Sequence, residues 1–475
     1  MSIPGLESLT PTVTPTAAAA STTSATTRQT LEPFWEYRFD VPRGSTLGIK
    51  LVSGTAEKDG TELAPNTPYS FTATKSKINT WHGCALEITA PSFGSYDAYT
   101  SEPTADETPM VSYLNLHFKL EAMRAAAQRT AQMGPRVLVV GPPNAGKSSL
   151  VRTLTSWATR AARQPLVVNT DPREGMLTLP GTLSAAVFAT LIDITTDWGS
   201  LPSSGASATP IKLPLAYYYG LPQSDDNPKL FKRLLGRLAV AATSRLAEDV
   251  DVKSAGMLID TGGVPSGARA AAYYDFVAHI VSEFSVNIII VLGSERVGSE
   301  MQKRFAGQTT SVGETVTVVG LDKSGGVMER DEAFMQSVRE SAIKDYFFGN
   351  AKLTLSPFTQ QVDFAAVSVW RINEAPSAST DGSGITYDEG DVHTDMLERA
   401  EPSMMMQNCV LAVVCASVHD AADSIRDANV MGFVYVADVD EKRRRLRILA
   451  PVSARLGDRP LLWGSWPEHM VNLLI

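Results

Sequence analysis

The chain has 475 residues, 44% hydrophobic and 20% charged, the balance of a soluble globular protein too long for one ordinary core, so two or three domains are expected. Its formal net charge of −9 excludes binding nucleic acid through a bulk positive field, though not through a local basic pocket. Three scattered cysteines (Cys84, Cys409, Cys415), with no C-x-x-C pair, argue against a zinc site or disulfide framework and for a reducing compartment.

Residues 1–31 include the tract TPTVTPTAAAASTTSATTRQT, which has no aromatic residue and no apolar period. Such a segment cannot bury enough surface to offset its ordering entropy, so a disordered tail is expected there. From 32 to 112 the texture changes to short alternating segments (WEYRFDV, TLGIKLV, TPYSFTA, KINTWHG, CALEITA) separated by turn residues, which predicts a small β-sandwich. His82 reads as a packed or turn histidine, since it has no partner at ligand spacing.

Residues 113–349 carry an α/β pattern. YLNLHFKLEAMRAAAQRTAQ has helical periodicity and leads into RVLVVGPPNAGKSSLVRTL. That stretch is an aliphatic strand (Val137–Val140), then Gly141, four residues, Gly146, Lys147 and Ser148, then a helical apolar period. Strand, glycine loop and helix is the order a phosphate-binding loop needs. Its glycines let successive N–H groups converge on phosphate oxygens, and the helix N-terminus adds partial positive charge. Lys147 would neutralise the β/γ-phosphates, and the Ser148 hydroxyl is a ligand for Mg²⁺. Beyond it, strands PLVVNTD, GMLIDTGG, VNIIIVLG and TVTVVGL alternate with helices, which predicts a mostly parallel sheet covered on both faces.

Residues 350–475 return to β texture, with a hairpin in GFVYVADVDEKRRRLRILAPV whose turn is expected near 438–441. A polar stretch, 376–395, reads as a mobile loop. The basic run 442–445 reads as a solvated hairpin edge rather than an RNA site. The longest apolar runs, such as Val286 to Leu292, are too short to span a bilayer, and no signal pattern opens the chain. A nuclear or cytosolic protein with no membrane contact is expected. The architecture expected overall is α/β, a central P-loop NTPase domain flanked by an N-terminal β-sandwich and a C-terminal β-rich domain.

Ligands of an open parallel sheet sit beyond the carboxyl ends of its strands. Asp171 ends LVVNTD and Asp260 ends MLID, so both are candidates to face the phosphates, one ordering Mg²⁺ and one orienting an attacking hydroxyl; the competing reading makes each an N-cap. The segment SERVGSEMQKRF brings Arg296, Lys303 and Arg304 after a buried strand, either as a lid over phosphates or as a plain solvated face. Lys323, in LDKSGGVMER, is a further candidate at the pocket border.

In their order along the chain, SGTAEKDGTELAPN, TWHGCALEI, ETPMVSYLN, GPRVLVVGPPNAGKSSL, TLPGTLSA, VLGSERV and KSGGVMER resemble the polyribonucleotide 5′-hydroxyl-kinase family. The resemblance is to its branch that serves as the ATP-binding subunit of the pre-mRNA cleavage and polyadenylation complex, and it runs from about Glu32 to the C-terminus. It implies ATP and Mg²⁺ held by Asn144, Ala145, Gly146, Lys147, Ser148 and Ser149, with Ser148 on the metal. It also implies a glutamate and a lysine near the base, matched by Glu36 and by Lys75, with Lys77 left open by the register. Arg296 matches the lid arginine, and Asp171 matches the residue that activates the RNA 5′-hydroxyl in active kinases.

Active members carry D-x-G-Q where this chain has Asp171-Pro172-Arg173-Glu174. Pro172 locks φ and removes an N–H donor, and Arg173 is expected to lower the pKa of Asp171 and weaken it as a base. The resemblance therefore implies a nuclear subunit of cleavage factor IA that holds ATP with kinase turnover lost. Its expected contact is the scaffold subunit that reads the polymerase C-terminal domain, with other 3′-end processing factors and RNA as further partners. An active RNA 5′-hydroxyl kinase is the alternative. A nucleotide-driven switch is disfavoured by the lack of an N-K-x-D guanine motif.

Overall fold

A computed structural model describes residues 25–90, 94–104, 108–195, 214–265, 267, 269–349, 354–375, 396–451, 458–471 and 473. The tail expected at 1–24 and the loop expected at 376–395 lie outside these residues.

The N-terminal strands form two sheets. A four-stranded sheet runs in the order Thr26–Leu31, Cys84–Thr89, Leu47–Gly54, Pro68–Phe71. A five-stranded one runs Thr61–Glu62, Glu57–Lys58, Thr74–Asn79, Glu36–Val41, Asp97–Ser101. Between them lies a core of Tyr37, Phe39, Val41, Ile49, Leu51, Phe71, Leu86 and Ile88. The tail expected to reach residue 31 is corrected here. Thr26–Leu31 pairs antiparallel with Cys84–Thr89, and Leu31 is buried in the sandwich core. Six residues of threonine-rich chain become a strand because an existing edge offers every backbone partner.

Helix Met110–Thr130 leads from the sandwich to the central sheet, ordered Leu215–Tyr218, Thr182–Val187, Leu166–Asn169, Met257–Asp260, Arg136–Val140, Ile288–Leu292, Thr317–Leu321. The last five are parallel; the first two add an antiparallel edge that the sequence pattern did not reveal. Alternation along the buried strands divides the core. Leu138, Val140, Ile259 and Ile289 face one side, with helix Pro228–Glu248, while Val137, Val139, Leu258 and Ile290 face helices Met110–Thr130 and Lys147–Arg160.

The C-terminal sheet runs Phe358–Asp363, Arg445–Ala450, Val430–Asp440, Val410–Val414, Leu461–Trp463, Val369–Ile372, Leu397–Ala400. Its inner residues Ala412, Phe433, Tyr435 and Leu449 belong to the same apolar cluster as Leu138 and Ile259, so central and C-terminal layers share one continuous core. The hairpin turn lies at 441–444, with Arg444 at φ 53°, a few residues beyond the expected 438–441.

Candidate functional site

The strand Arg136–Val140 is wholly buried and delivers the glycine loop to the carboxyl edge of the sheet. Gly141 is required there because a Cβ would stand 2.6 Å from the Leu292 carbonyl oxygen. Asn144 and Gly146 take positive φ, 54° and 88°, which turns the chain into helix Lys147–Arg160. Leu150, Val151, Leu154, Trp157 and Ala158 bury the inner face of that helix and fix its N-terminus under the loop. Lys147 Nζ donates to the Pro142 carbonyl, 3.0 Å, so the lysine lies along the loop.

Three carboxylates gather at this point. Ser148 Oγ donates to Asp260 Oδ2 at 2.5 Å, and Asp260 Oδ1 is buried with no hydrogen-bond partner among the described residues. Burial pushes the Asp260 carboxyl up to about 7; Lys147 and the Ser148 hydroxyl oppose the shift, and the charges of Asp171 and Glu174 add to it. Asp171 is set by Asn169, whose Oδ1 accepts from the Asp171 N–H and whose Nδ2 donates to the Asp171 carbonyl, each at 3.0 Å. The Arg173 N–H then closes an Asx turn on Asp171 Oδ1, 2.9 Å. A Cβ on Gly262 would lie 3.3 Å from Asp171 Oδ2, and one on Gly263 would strike Pro143, so the three strand-end loops pack directly on one another. Neither acid is an N-cap. No helix follows Asp171 directly, and helix Arg269–Glu283 begins nine residues after Asp260.

Arg173 does lower the Asp171 carboxyl as expected, through its N–H and its charge, but burial outweighs both, so the carboxyl is held above its ordinary range; the guanidinium itself bonds Glu332, 2.6 Å away. Glu174 stands at the solvent-exposed rim; its carboxyl is also pushed up, by loss of water on its protein side and then by Asp171, and the remaining water screens its charge more than that of Asp260.

The residues the resemblance places near the base, Glu36 and a lysine, come from the sandwich. Glu36 is fully buried, accepts from Arg38 Nε at 2.9 Å and pairs with Lys77 Nζ, which also reaches Ser324 Oγ at 3.4 Å. Ser324 begins the glycine turn that leads to Val327, and Val327 Cγ2 is 3.3 Å from where a Gly146 Cβ would be. Glu36 and Lys77 thus border the loop cradle through the 324–327 turn. Lys75, which the resemblance matched to the family's lysine with Lys77 left open, lies apart from Glu36. The antiparallel register sets it opposite Asp40, to which it pairs at 3.0 Å, and its ammonium lies 5.1 Å from the Phe334 ring centre. Sequence could not separate the two lysines because both point to the same face of one strand.

Arg296 is exposed on the first turn of helix Glu295–Phe305, which Ser294 caps through the Val297 N–H. Arg304 bonds Glu300 of its own helix and stacks on Tyr274 of helix Arg269–Glu283, so it ties two helices together. Lys323 packs its stem where a Gly293 Cβ would be, which joins the Arg296 helix to the 324–327 turn. Sequence reasoning missed Arg38 and Ser324; their only signal was alternation with Glu36 and the glycine pair after Ser324. A shallow aromatic groove lined by Phe34, Trp81, His117 and Trp157 lies at the opposite end of helix Lys147–Arg160 and is not part of this cradle.

The family model described as the P-loop of mRNA cleavage and polyadenylation factor CLP1 matches residues 141–349. The N-terminal β-sandwich domain of polyadenylation factor matches 30–127, and pre-mRNA cleavage complex II protein Clp1 matches 355–468. The mRNA cleavage and polyadenylation factor clp1 of Botryotinia fuckeliana is 54% identical over 92% of this chain and 93% of its own length. The chain belongs to the CLP1 family. A Pyricularia oryzae CLP1 protein is 47% identical over the full length of both chains. Among solved structures, the wild-type Clp1p–Pcf11p (454–563) complex superposes with a TM-score of 0.79 at 26% identity, over 93% of this chain and 98% of that one. A second, described as an extended interface between Pcf11p and Clp1p with the structural basis for ATP loss in a glycine-to-arginine mutant, has the same TM-score and identity and covers 93% of this chain and 99% of that one. The CLP1 family assignment accords with all three layers described above, sandwich, phosphate-loop sheet and C-terminal sheet.

Proposed function

We propose that this chain is a nuclear, ATP-holding subunit of the pre-mRNA cleavage and polyadenylation machinery, with phosphoryl transfer lost. The observation that carries the reading is the cradle itself. The glycine loop, Lys147 and Ser148 face buried Asp260, while Glu36 and Lys77 stand on the base side across the 324–327 turn. The donor set fits Mg²⁺. The Ser148 hydroxyl and the unpartnered Asp260 Oδ1 are hard oxygen ligands, and a buried carboxyl that titrates near 7 gains a reason to ionise beside a cation. Bound Mg²⁺ would neutralise β- and γ-phosphate charge; the chain's part is to cradle the phosphates with loop N–H groups and Lys147 and to hold Ser148 on Asp260. The cofactor-binding set proposed is Glu36, Lys77 and the loop residues Asn144 to Ser149, with Arg296 as a lid arginine. The partner proposed is a scaffold polypeptide of the kind that Clp1p binds in its complex with Pcf11p, with contacts to other 3′-end factors, RNA and the polymerase tail secondary.

One observation favours the kinase alternative. Asp171 faces the cradle with its carboxyl pushed upward, which strengthens it as a base. Two weigh against it. Its Oδ1 is occupied by the Arg173 N–H, and Glu174 adds a second anion at the mouth through which a polyanionic RNA end would have to enter. Transfer of labelled γ-phosphate to a 5′-hydroxyl RNA oligonucleotide decides between them. Turnover at least about 100-fold below an active kinase of the family is expected, the size of a roughly 1 Å misplacement of the attacking geometry. Turnover near that of the control, abolished by Asp171→Ala, would promote the kinase.

A further inference from the structure

The turn that carries Asp171 is gripped from behind by the C-terminal layer. Trp466 Nε1 donates to the Arg173 carbonyl oxygen at 3.2 Å, and the Trp466 backbone is pinned by its N–H to the Gly220 carbonyl at 3.0 Å and by the Tyr218 hydroxyl to its own carbonyl at 2.8 Å. The approach is close enough to demand glycine on both sides. A Cβ on Gly464 would stand 2.1 Å from the Gly220 oxygen, and one on Gly181 would stand 2.9 Å from the Trp466 oxygen. Gly181 in turn donates its N–H to the Pro172 carbonyl at 2.7 Å, so the same backbone strip touches the turn twice.

A chain of charges runs in parallel. The Arg173 guanidinium bonds Glu332 at 2.6 Å; Glu332 also accepts from Arg339 at 2.7 Å; Arg339 Nε donates to both oxygens of Glu468 at 3.1 and 3.2 Å. Arg339 is 2% exposed, lies 4.7 Å from the Trp466 ring centre, and keeps Nη1 without a hydrogen-bond partner among the described residues. A buried cation spent on this position, with one N–H left unsatisfied, costs more than a surface tie would. Its charge also acts on Glu174 at the cradle rim.

We propose that Trp466, Arg339 and Glu468 form a clamp through which occupancy of the nucleotide cradle tightens the docking of the C-terminal sheet on the central domain. The proposal rests on the nucleotide-holding function above. Phosphates and Mg²⁺ order the Asp171–Glu174 turn by balancing its carboxylates, and the turn passes that order to Trp466 through one backbone hydrogen bond and to Glu468 through the Arg173–Glu332–Arg339 relay. These are positioning residues: none faces the cradle through its own side chain. Coupling is reciprocal, so whatever loosens the clamp loosens the nucleotide.

The test is hydrogen exchange on the full-length chain, with and without Mg²⁺ and ATP, comparing amides of 464–468 with those of Phe358–Asp363. That strand belongs to the same C-terminal sheet but, among the described residues, pairs only with Arg445–Ala450. ATP is expected to slow the clamp segment roughly fivefold or more beyond any slowing of the reference strand. Trp466→Phe, which keeps the ring and removes the donor, and Arg173→Ala are each expected to bring the excess to within about twofold while ATP still binds. Glu468→Gln serves as a third variant should either fail to fold. Equal slowing of segment and reference, or full excess protection in variants that hold ATP, would overturn the clamp. Absence of ATP on the wild-type sample, read by denaturing an aliquot, instead removes the nucleotide-holding function, and the coupling falls with it.

Discussion

Lys147 is the residue whose loss should be felt first. It is the cradle's cation, facing Asp171, Asp260 and Glu174, all held above their ordinary range, and on the proposed function it meets the phosphates. Lys147→Ala should purify without nucleotide; equal ATP on mutant and wild type would refute the phosphate-loop assignment. Asp260 gives the opposite kind of test, because its cost to the empty protein has a sign. Its folded pKa near 7 lies above the ordinary 3.8, so the fold prefers the protonated form. The penalty is absent below about pH 4, grows as pH rises toward 7 and is complete above it, on the order of 2–4 kcal/mol. Nucleotide-free Asp260→Asn should therefore melt above wild type at pH 8 and level with it at pH 4, while holding ATP less well. A melting difference independent of pH would show that Asp260 is not the group that titrates. The loop and both acids were legible in sequence because each ends a buried aliphatic strand. Lys77 was not, since choosing it over Lys75 needs the cross-strand register Arg38↔Lys77, which is a long-range fact.

Among elements, the parallel strands were legible because burial on both faces writes itself as unbroken aliphatic runs such as Ile288–Leu292. The antiparallel edge Thr182–Val187 and Leu215–Tyr218 was not, because short strands flanked by glycine and proline carry too little periodic signal to separate from loop. Thr26–Leu31 was misread for the complementary reason. Its composition is that of a tail, and only the free edge of Cys84–Thr89 makes it a strand. That correction is testable. Leu31 is 1% exposed in the sandwich core, so Leu31→Ala should destabilise the N-terminal domain by about 2–5 kcal/mol in a denaturant titration. A change within about 0.5 kcal/mol would return the segment to the tail. The Asp171–Glu174 turn belongs to this scale too. Sequence exposed its departure from the kinase pattern, but not that Arg173 turns away from Asp171 to Glu332, since Glu332 lies 159 residues further on.

At the scale of the whole molecule, the three layers meet at one place. The sandwich supplies Glu36 and Lys77, the central sheet supplies the loop and its acids, and the C-terminal layer holds the Asp171 turn through Trp466. A nucleotide held there, as proposed, would touch or support every layer, and that is the physical reason it could act as a structural part without being turned over. The most direct test is the identity and amount of nucleotide released when the purified, undialysed protein is denatured after incubation with Mg²⁺ at its working temperature. Close to one intact ATP per chain is what a cradle that binds without catalysis predicts. ADP in its place, or no nucleotide at all, would contradict it.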